Sequence, residues 1–336
     1  MSLTAIQDPP RPAASAPLIT EPAEPAGLRL VPALCPICEV EDVDPTGVGE
    51  DFEYGTSPDT FLAVTCRRCS LLYLAMRPAE SEGGRIYPDN YHAFHFNPAE
   101  FGLAYKVRRW LEAKRLRRWT RGLPADARIL DVGCGDGFHL RLLRENGNPG
   151  WTLEGVDADP RAVAAAKGHG LTVHAGNVED LGLSPGYHLA VMVMIIEHVP
   201  DPAALLKTVR GLLAPGGRLV VVTDNAGSPD AKIFGGRHWG GYHFPRHFHL
   251  FTRKTLAAAA IKAGLEPERV VTSVSPVNWV YSFRNWFQDW GAPRWVVNRF
   301  SLSSAPAMGV FTLADIALAY LGRGGNLQAV LRNPNK

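Results

Sequence analysis

From Arg128 onward, short apolar runs alternate with segments whose apolar residues recur at helical spacing. That rhythm predicts a parallel sheet joined by crossover helices. Arg128–Val132, Trp151–Val156, Leu171–His174, Leu189–Ile196 and Arg218–Thr223 read as strands. Phe138–Glu145, Arg161–Lys167 and Pro202–Leu213 read as helices between them, the last opened by Asp201 as cap. Pro215-Gly216-Gly217 marks a turn, and Thr252 with Gly264 brackets an Ala-rich helix over Arg253–Ala263. Val270–Val274 and Leu327–Leu331 are candidate last strands, with inserted, aromatic-rich helices over 276–323. Ahead of the sheet, Phe101–Arg121 predicts a helix with Leu103, Val107, Trp110 and Leu111 as its apolar stripe.

The chain has 336 residues, 46% hydrophobic and 20% charged, enough for one large core and a smaller module. The expected organisation is a disordered Pro/Ala-rich tail (1–30), a cysteine-bounded module (31–78) and an aromatic, then basic helical linker (79–125). The main α/β domain (126–275), the inserted helices (276–323) and a last strand with the C-terminus (324–336) follow. A net charge of +2 gives no reason to expect a nucleic-acid partner. The tail lacks the apolar run of a secretory signal, and the most apolar stretch, Met308–Leu321, is too short to span a bilayer and contains Asp315. Five cysteines, as two CxxC pairs plus Cys134, suit a reducing, cytoplasmic compartment.

The segment Ile129-Leu-Asp131-Val-Gly133-Cys-Gly135-Asp-Gly137 runs an apolar strand into a glycine loop that opens a helix. Such glycines let a backbone approach a ligand where a Cβ would collide. A dinucleotide loop wants a third glycine where Phe138 stands, and a phosphate-cradling loop wants Gly-Lys-Ser/Thr, which is absent. A nucleoside without a pyrophosphate is the better fit. Twenty residues after Gly137, Asp157 ends a strand, where a carboxylate can accept from both ribose hydroxyls.

Asp131-Val-Gly-Cys-Gly-Asp-Gly137, Gly155-Val-Asp157, Glu197-His-Val-Pro-Asp-Pro202 and Leu213-Ala-Pro-Gly-Gly-Arg-Leu219 stand in one order. That order resembles class I S-adenosylmethionine-dependent methyltransferases, most of all their ubiquinone-biosynthesis-like branch. The resemblance implies an α/β, Rossmann-like sheet of seven strands with the last antiparallel. It also implies Asp131, Gly133 and Gly135 near the methionine moiety and Asp157 on the ribose. Asn177, with Val178, falls at the turn that contacts adenine; the family usually has Asp where Asn177 stands. Tyr187-His188 replaces the family's frequent Phe-Asp and reads as structural variation.

Cys35-Pro-Ile-Cys38 and Cys66-Arg-Arg-Cys69 are two knuckles whose four thiolates complete a tetrahedral site for structural zinc, with no open position. A redox pair needs only one CxxC, normally opening a helix. The ribbon–linker–core layout resembles bacterial methyltransferases of small molecules and cell-surface glycans. Eight Lys and Arg residues between Tyr105 and Arg121 read as a solvated face, or as a contact for an anionic acceptor, a membrane surface or RNA.

Between Gly235 and Thr252 stand His238, His243, His247 and His249 among Trp, Tyr and Gly, the composition of a mobile loop closing over an acceptor. A second metal site is set aside there because no carboxylate accompanies the histidines, and His249 reads as a packing or capping residue. The resulting expectation is methyl transfer from S-adenosylmethionine to a small-molecule or glycan- or lipid-linked acceptor, O-methylation over N- or C-. His247 or His243 is the base that takes a hydroxyl proton. The rivals are an RNA methyltransferase and a cofactor-binding scaffold without catalysis. Against RNA, Ile196-Glu197-His198-Val199 stands where an Asn/Asp-Pro-Pro-aromatic tetrapeptide is expected.

Overall fold

The computed structural model describes residues 26–88 and 98–334, and the side chains from 105 onward in the helix that opens the second stretch. Most of the expected tail, 1–25, lies outside the described residues. Its last residues are not tail: Leu28 is buried and its N–H donates to Asp59 (2.6 Å). The N-terminal strands are β1 (Leu30–Pro32), β2 (Val43–Gly49), β3 (Phe61–Cys66), β4 (Leu72–Leu74) and β5 (Met76–Pro78). Helices α1 (Gly83–Ile86) and α2 (Pro98–Trp119) lead into the large sheet.

That sheet is built from β6 (Arg128–Val132), β7 (Thr152–Asp157), β8 (Thr172–Ala175), β9 (Tyr187–Val193) and β10 (Leu213–Asp224). Helices α3 (Phe138–Asn146), α4 (Pro160–Gly168) and α5 (Pro202–Leu212) connect them. After β10 come α6 (Pro229–Phe234), β11 (His249–Leu250), α7 (Arg253–Lys262), β12 (Glu266–Ser273), α8 (Val277–Asp289), α9 (Arg294–Val297), α10 (Ala305–Tyr320) and β13 (Asn326–Arg332). The spatial order is β12-β13-β10-β9-β6-β7-β8, parallel from β10 to β8, with β13 antiparallel to both of its neighbours.

Period-two alternation assigns each strand residue a face. Ile129, Leu189, Val191, Val220 and Val222 pack under Leu116 and Trp119 of α2 and Leu142 and Leu143 of α3. Leu130, Val132, Ala190, Met192 and Val221 pack under Leu205 and Val209 of α5 and Leu256 and Ala259 of α7. Central strands covered on both faces therefore read as unbroken apolar runs. Asp201 caps α5, accepting from Ala203 and Ala204 N–H, and Thr252 with Thr255 forms a capping box on α7. The Pro215-Gly-Gly turn lies inside β10, where the register against β9 shifts between Leu213 and Arg218.

Two sequence expectations need correction. In α2 the described stripe residues Val107, Trp110 and Leu111 are exposed, whereas Ala113, Leu116 and Trp119 are buried. Tertiary contact with α3 chose a face that the local pattern left ambiguous. The cysteine-bearing sheet is also not self-contained, since its order is β11-β4-β3-β2, with His249 opposite Tyr73 and Leu250 opposite Leu72. Cys35, Val64, Leu71 and Tyr73 join the same core as α5 and α7. Lys262 at the end of α7 donates to the carbonyls of Pro36 and Ile37 in the first knuckle.

Candidate active site

β6 delivers the glycine loop to the carboxyl edge of the sheet, where ligands of open α/β folds collect. Gly133, Gly135 and Gly137 hold φ of 73°, 55° and 78°, which only glycine adopts freely. A Cβ on Gly133 would lie 2.1 Å from Ile195 Cδ1, so the segment after β9 is pressed against the loop. Among the described residues nothing lies within 4 Å of the place a Cβ would take on Gly135, so the loop faces open space there.

Asp131 is buried, and its Oδ2 has no hydrogen-bond partner among the described residues. Burial lifts its pKa to about 6 despite His139, whose Nδ1 is 3.9 Å away. Asp157 accepts from Gly135 N–H (2.8 Å) and Asp159 N–H (2.9 Å), which ties the end of β7 to the loop. Burial nevertheless raises its pKa. Val178 is buried in the core, while Asn177 is exposed, its amide 3.4 Å from Asp180 Oδ2. His188 Nδ1 accepts from Arg128 N–H (3.1 Å), a structural use.

The histidine segment is not the mobile loop that its composition suggests. Trp239 through Leu250 is buried, and His249, bonded from Nε2 to Pro200 O (3.3 Å), lies in β11. Arg246 anchors the segment. It donates to both carboxylate oxygens of Asp51 (3.1 and 2.9 Å) and to the carbonyls of Ile86 (2.6 Å) and Phe244 (3.0 Å), with both charged side chains fully buried. Burial opposes ionisation of Asp51, but the Arg246 guanidinium outweighs it and holds the carboxyl below its usual range. His243, at the left-handed φ of 40°, meets Glu53 Oε1 at 2.7 Å.

His247 is the centre of a cluster. Its Nδ1 lies 2.8 Å from Gly241 O; a carbonyl only accepts, so Nδ1 carries the proton. Its ring centroid is 4.6 Å from that of His198 and 4.9 Å from that of His243. Burial, then the neighbouring His198 and His243, push its pKa well below the ordinary value, so the ring is neutral with Nε2 as an acceptor. Asp224, at the end of β10, lies 3.5 Å from Nδ1 and accepts from Asn278 of α8 (2.8 Å); burial lifts it to about 7.

Glu197, fully buried, accepts from Thr223 (2.9 Å), and burial followed by the nearby Asp224 lifts it to about 8. One carboxylate oxygen of Glu197 and one ring nitrogen each of His198 and His247 lie within 4.8 Å of one another. The carboxylates that the local sequence lacks are thus supplied by Glu197, Asp224 and Glu53, from three distant segments. In the sequence Glu197-His198 stands only as part of a motif. The apolar run of β9 leading straight into two polar residues was the available signal.

The four sulfurs of Cys35, Cys38, Cys66 and Cys69 lie within 4.8 Å of one another, Cys35 and Cys69 at 3.5 Å.

A seven-stranded sheet in this order, its first strand feeding a glycine loop and its second ending on a carboxylate, defines the class I methyltransferase fold. Residues 103–270, half of the chain, match the family model described as a methyltransferase domain. A ubiquinone biosynthesis O-methyltransferase of Cereibacter sphaeroides is 33% identical over 168 residues, 46% of this chain and 67% of that protein. The one from Bordetella bronchiseptica is 32% identical over 178 residues, 48% and 72%. The fold is shared with phosphoethanolamine N-methyltransferase 2 of Haemonchus contortus (TM-score 0.50, 15% identity, covering 88% of this chain and 69% of that one). The chain belongs to this family of S-adenosylmethionine-dependent methyltransferases. Among the described residues no helix is long and apolar enough to cross a membrane.

Proposed function

We propose that the enzyme transfers a methyl group to a hydroxyl of a small-molecule or lipid- or glycan-linked acceptor, with His247 as the base. The observation that carries this reading is the neutral, buried His247, its Nδ1 committed to Gly241 O, packed on His198 beside the segment that presses on Gly133. The O-methyltransferase relatives support the choice of oxygen.

The residues of the glycine loop fit the donor. The orphaned Asp131 Oδ2 suits an ammonium, the open face of Gly135 suits close approach, and Asp157 suits the ribose hydroxyls. Asn177 and Val178 line the adenine end. The donor supplies a methyl group already activated on a sulfonium. The protein's part is to align the acceptor oxygen, exclude water and take the proton from that oxygen onto His247 Nε2 as the new O–C bond forms. His243, held by Glu53, supports the ring from one side.

Incubating the enzyme with methyl-labelled donor and a small-molecule extract tests the reading. Label should enter organic products and be released by hydriodic acid, which cleaves O-methyl ethers and not C-methyl groups. Label in the RNA fraction, or resistant to acid, overturns it. RNA has little in its favour here, because α2 spends several cations within the chain: Arg109 on Glu145, Arg115 on Glu112 and Arg108 over Phe138. A second reading rests on the same cluster: Glu197, His198 and His247 could hold a divalent cation that polarises the acceptor oxygen. Turnover restored by added Mg²⁺ or Mn²⁺ after mild chelation would select it.

Asp157→Ala should weaken S-adenosylhomocysteine binding by roughly 1.5–3 kcal/mol, by losing charge-assisted bonds. Calorimetric titration measures it, and unchanged affinity means that the nucleoside lies elsewhere.

We further infer that the four thiolates hold a structural zinc. A tetrahedral ion with Zn–S bonds of about 2.3 Å needs sulfurs about 3.8 Å apart, and the cluster fits. Elemental analysis should find about one zinc per chain. Cys38→Ser should release it and lower the melting temperature, with cofactor affinity less affected. Metal-free protein of unchanged stability overturns the assignment.

A further inference from the structure

The helices between β12 and β13 leave an uncovered apolar face. α10 stacks its inner side on α8, with Phe311 against Trp279 (5.9 Å, 3° between planes) and against Phe283. Its only acid, Asp315, is buried and accepts from Ser275 and Gly325 N–H. Its outer side repeats no surface pattern: every exposed position from Ala305 to Tyr320 is apolar, glycine, proline or tyrosine. Tyr320 is 90% exposed, Leu313 71% and Val310 64%. Trp290, at the end of α8, is 75% exposed and stacked on Trp286, and Trp295 of α9 is 69% exposed. A soluble helix keeps charge on its outer face, so among the described residues this face lacks its cover.

The charges around it say what covers it. Between Trp290 and Pro334, Asp315 is the only acid in the sequence, whereas Arg294, Arg299 and Arg323 are exposed. Tryptophan and tyrosine beside an apolar strip, with Arg294, Arg299 and Arg323 exposed and the neighbouring Asp289 paired to Arg237 and His238, is the composition that settles at the headgroup level of a bilayer. A second copy fits poorly, because a twofold would bring the same arginine rim against itself.

We propose that α8–α10 dock this enzyme on the surface of an anionic phospholipid bilayer, with α10 lying in the interface and not crossing it. The contact is independent of the methyl-transfer chemistry, so it is tested without turnover. Full-length protein is sedimented with vesicles of phosphatidylglycerol and phosphatidylcholine, or of phosphatidylcholine alone. It should pellet with the anionic vesicles, more weakly with the neutral ones, and less at high salt. Replacing Arg294, Arg299 and Arg323 by Gln should lower partitioning roughly a hundredfold, from about fivefold per surface arginine. Trp290→Ala with Trp295→Ala and Tyr320→Ala should lower it by about tenfold or more. These positions are exposed, so melting temperature and S-adenosylhomocysteine affinity should not move. Protein that stays in the supernatant with anionic vesicles overturns the proposal. So does a dimer that ignores vesicles and becomes monomeric in Trp295→Asp, which makes the face a contact between copies.

Discussion

His247→Ala should lower kcat by roughly two to four orders of magnitude, the usual loss when a true general base is removed. Affinity for S-adenosylhomocysteine should stay near the wild-type value, because His247 is proposed to serve the acceptor and its contacts run to Gly241, Asp224, His198 and His243. The basis is its protonation state. Burial keeps the ring neutral, and the bond from Nδ1 to Gly241 O fixes the tautomer that leaves the lone pair on Nε2. His243→Ala should cost less, since its Nδ1 is committed to Glu53 and its part is to support the neighbouring ring. A melting curve for each variant separates lost chemistry from lost fold. Wild-type turnover by both variants with the native acceptor would defeat the assignment, and the segment would then only shape the pocket.

Arg246→Ala should destabilise the protein by about 3–5 kcal/mol, the range for removing one partner of a buried ion pair. Asp51 would be left ionised in the interior, and the carbonyls of Ile86 and Phe244 would lose their donor. Arg246→Lys should recover only part, because the three donors of an ammonium cannot serve two carboxylate oxygens and two carbonyls at once. The pair also carries a pH signature. Asp51 is depressed in the folded state, so its contribution is complete above the unfolded carboxylate pKa and fades as pH falls through the lower folded value. Denaturant unfolding measures both effects, and a loss under about 1 kcal/mol would show that the cavity rehydrates and spares the fold.

The methyltransferase half was legible because its determinants are local. Ile129–Gly137 specifies strand, turn and helix within nine residues, and Asp201 or Thr252 announces a helix by capping it. The histidine cluster was legible only as composition. What gives it chemistry comes from elsewhere in the chain: Glu197 after β9, Asp224 at the end of β10, and Asp51 and Glu53 from between β2 and β3. No local periodicity records a partner 195 residues away. The α2 stripe failed for a related reason, since apolar residues occur around much of that helix and only α3 decides which of them are covered.

The closure of the cysteine-bearing sheet by β11 has a consequence for how the protein is made. β4 leaves the ribosome with one edge open, and the strand that completes it is His249–Leu250. At ordinary synthesis rates the 195 residues separating Asp51 from Arg246 take on the order of ten seconds or more to appear. Through that interval the segment from β2 to β4 holds an unpaired strand edge and a carboxylate without its guanidinium. The cysteine-bearing sheet is therefore sheltered only when its last strand arrives, and shortening the protein from its C-terminal side to any point before Arg246 strands it in that exposed form.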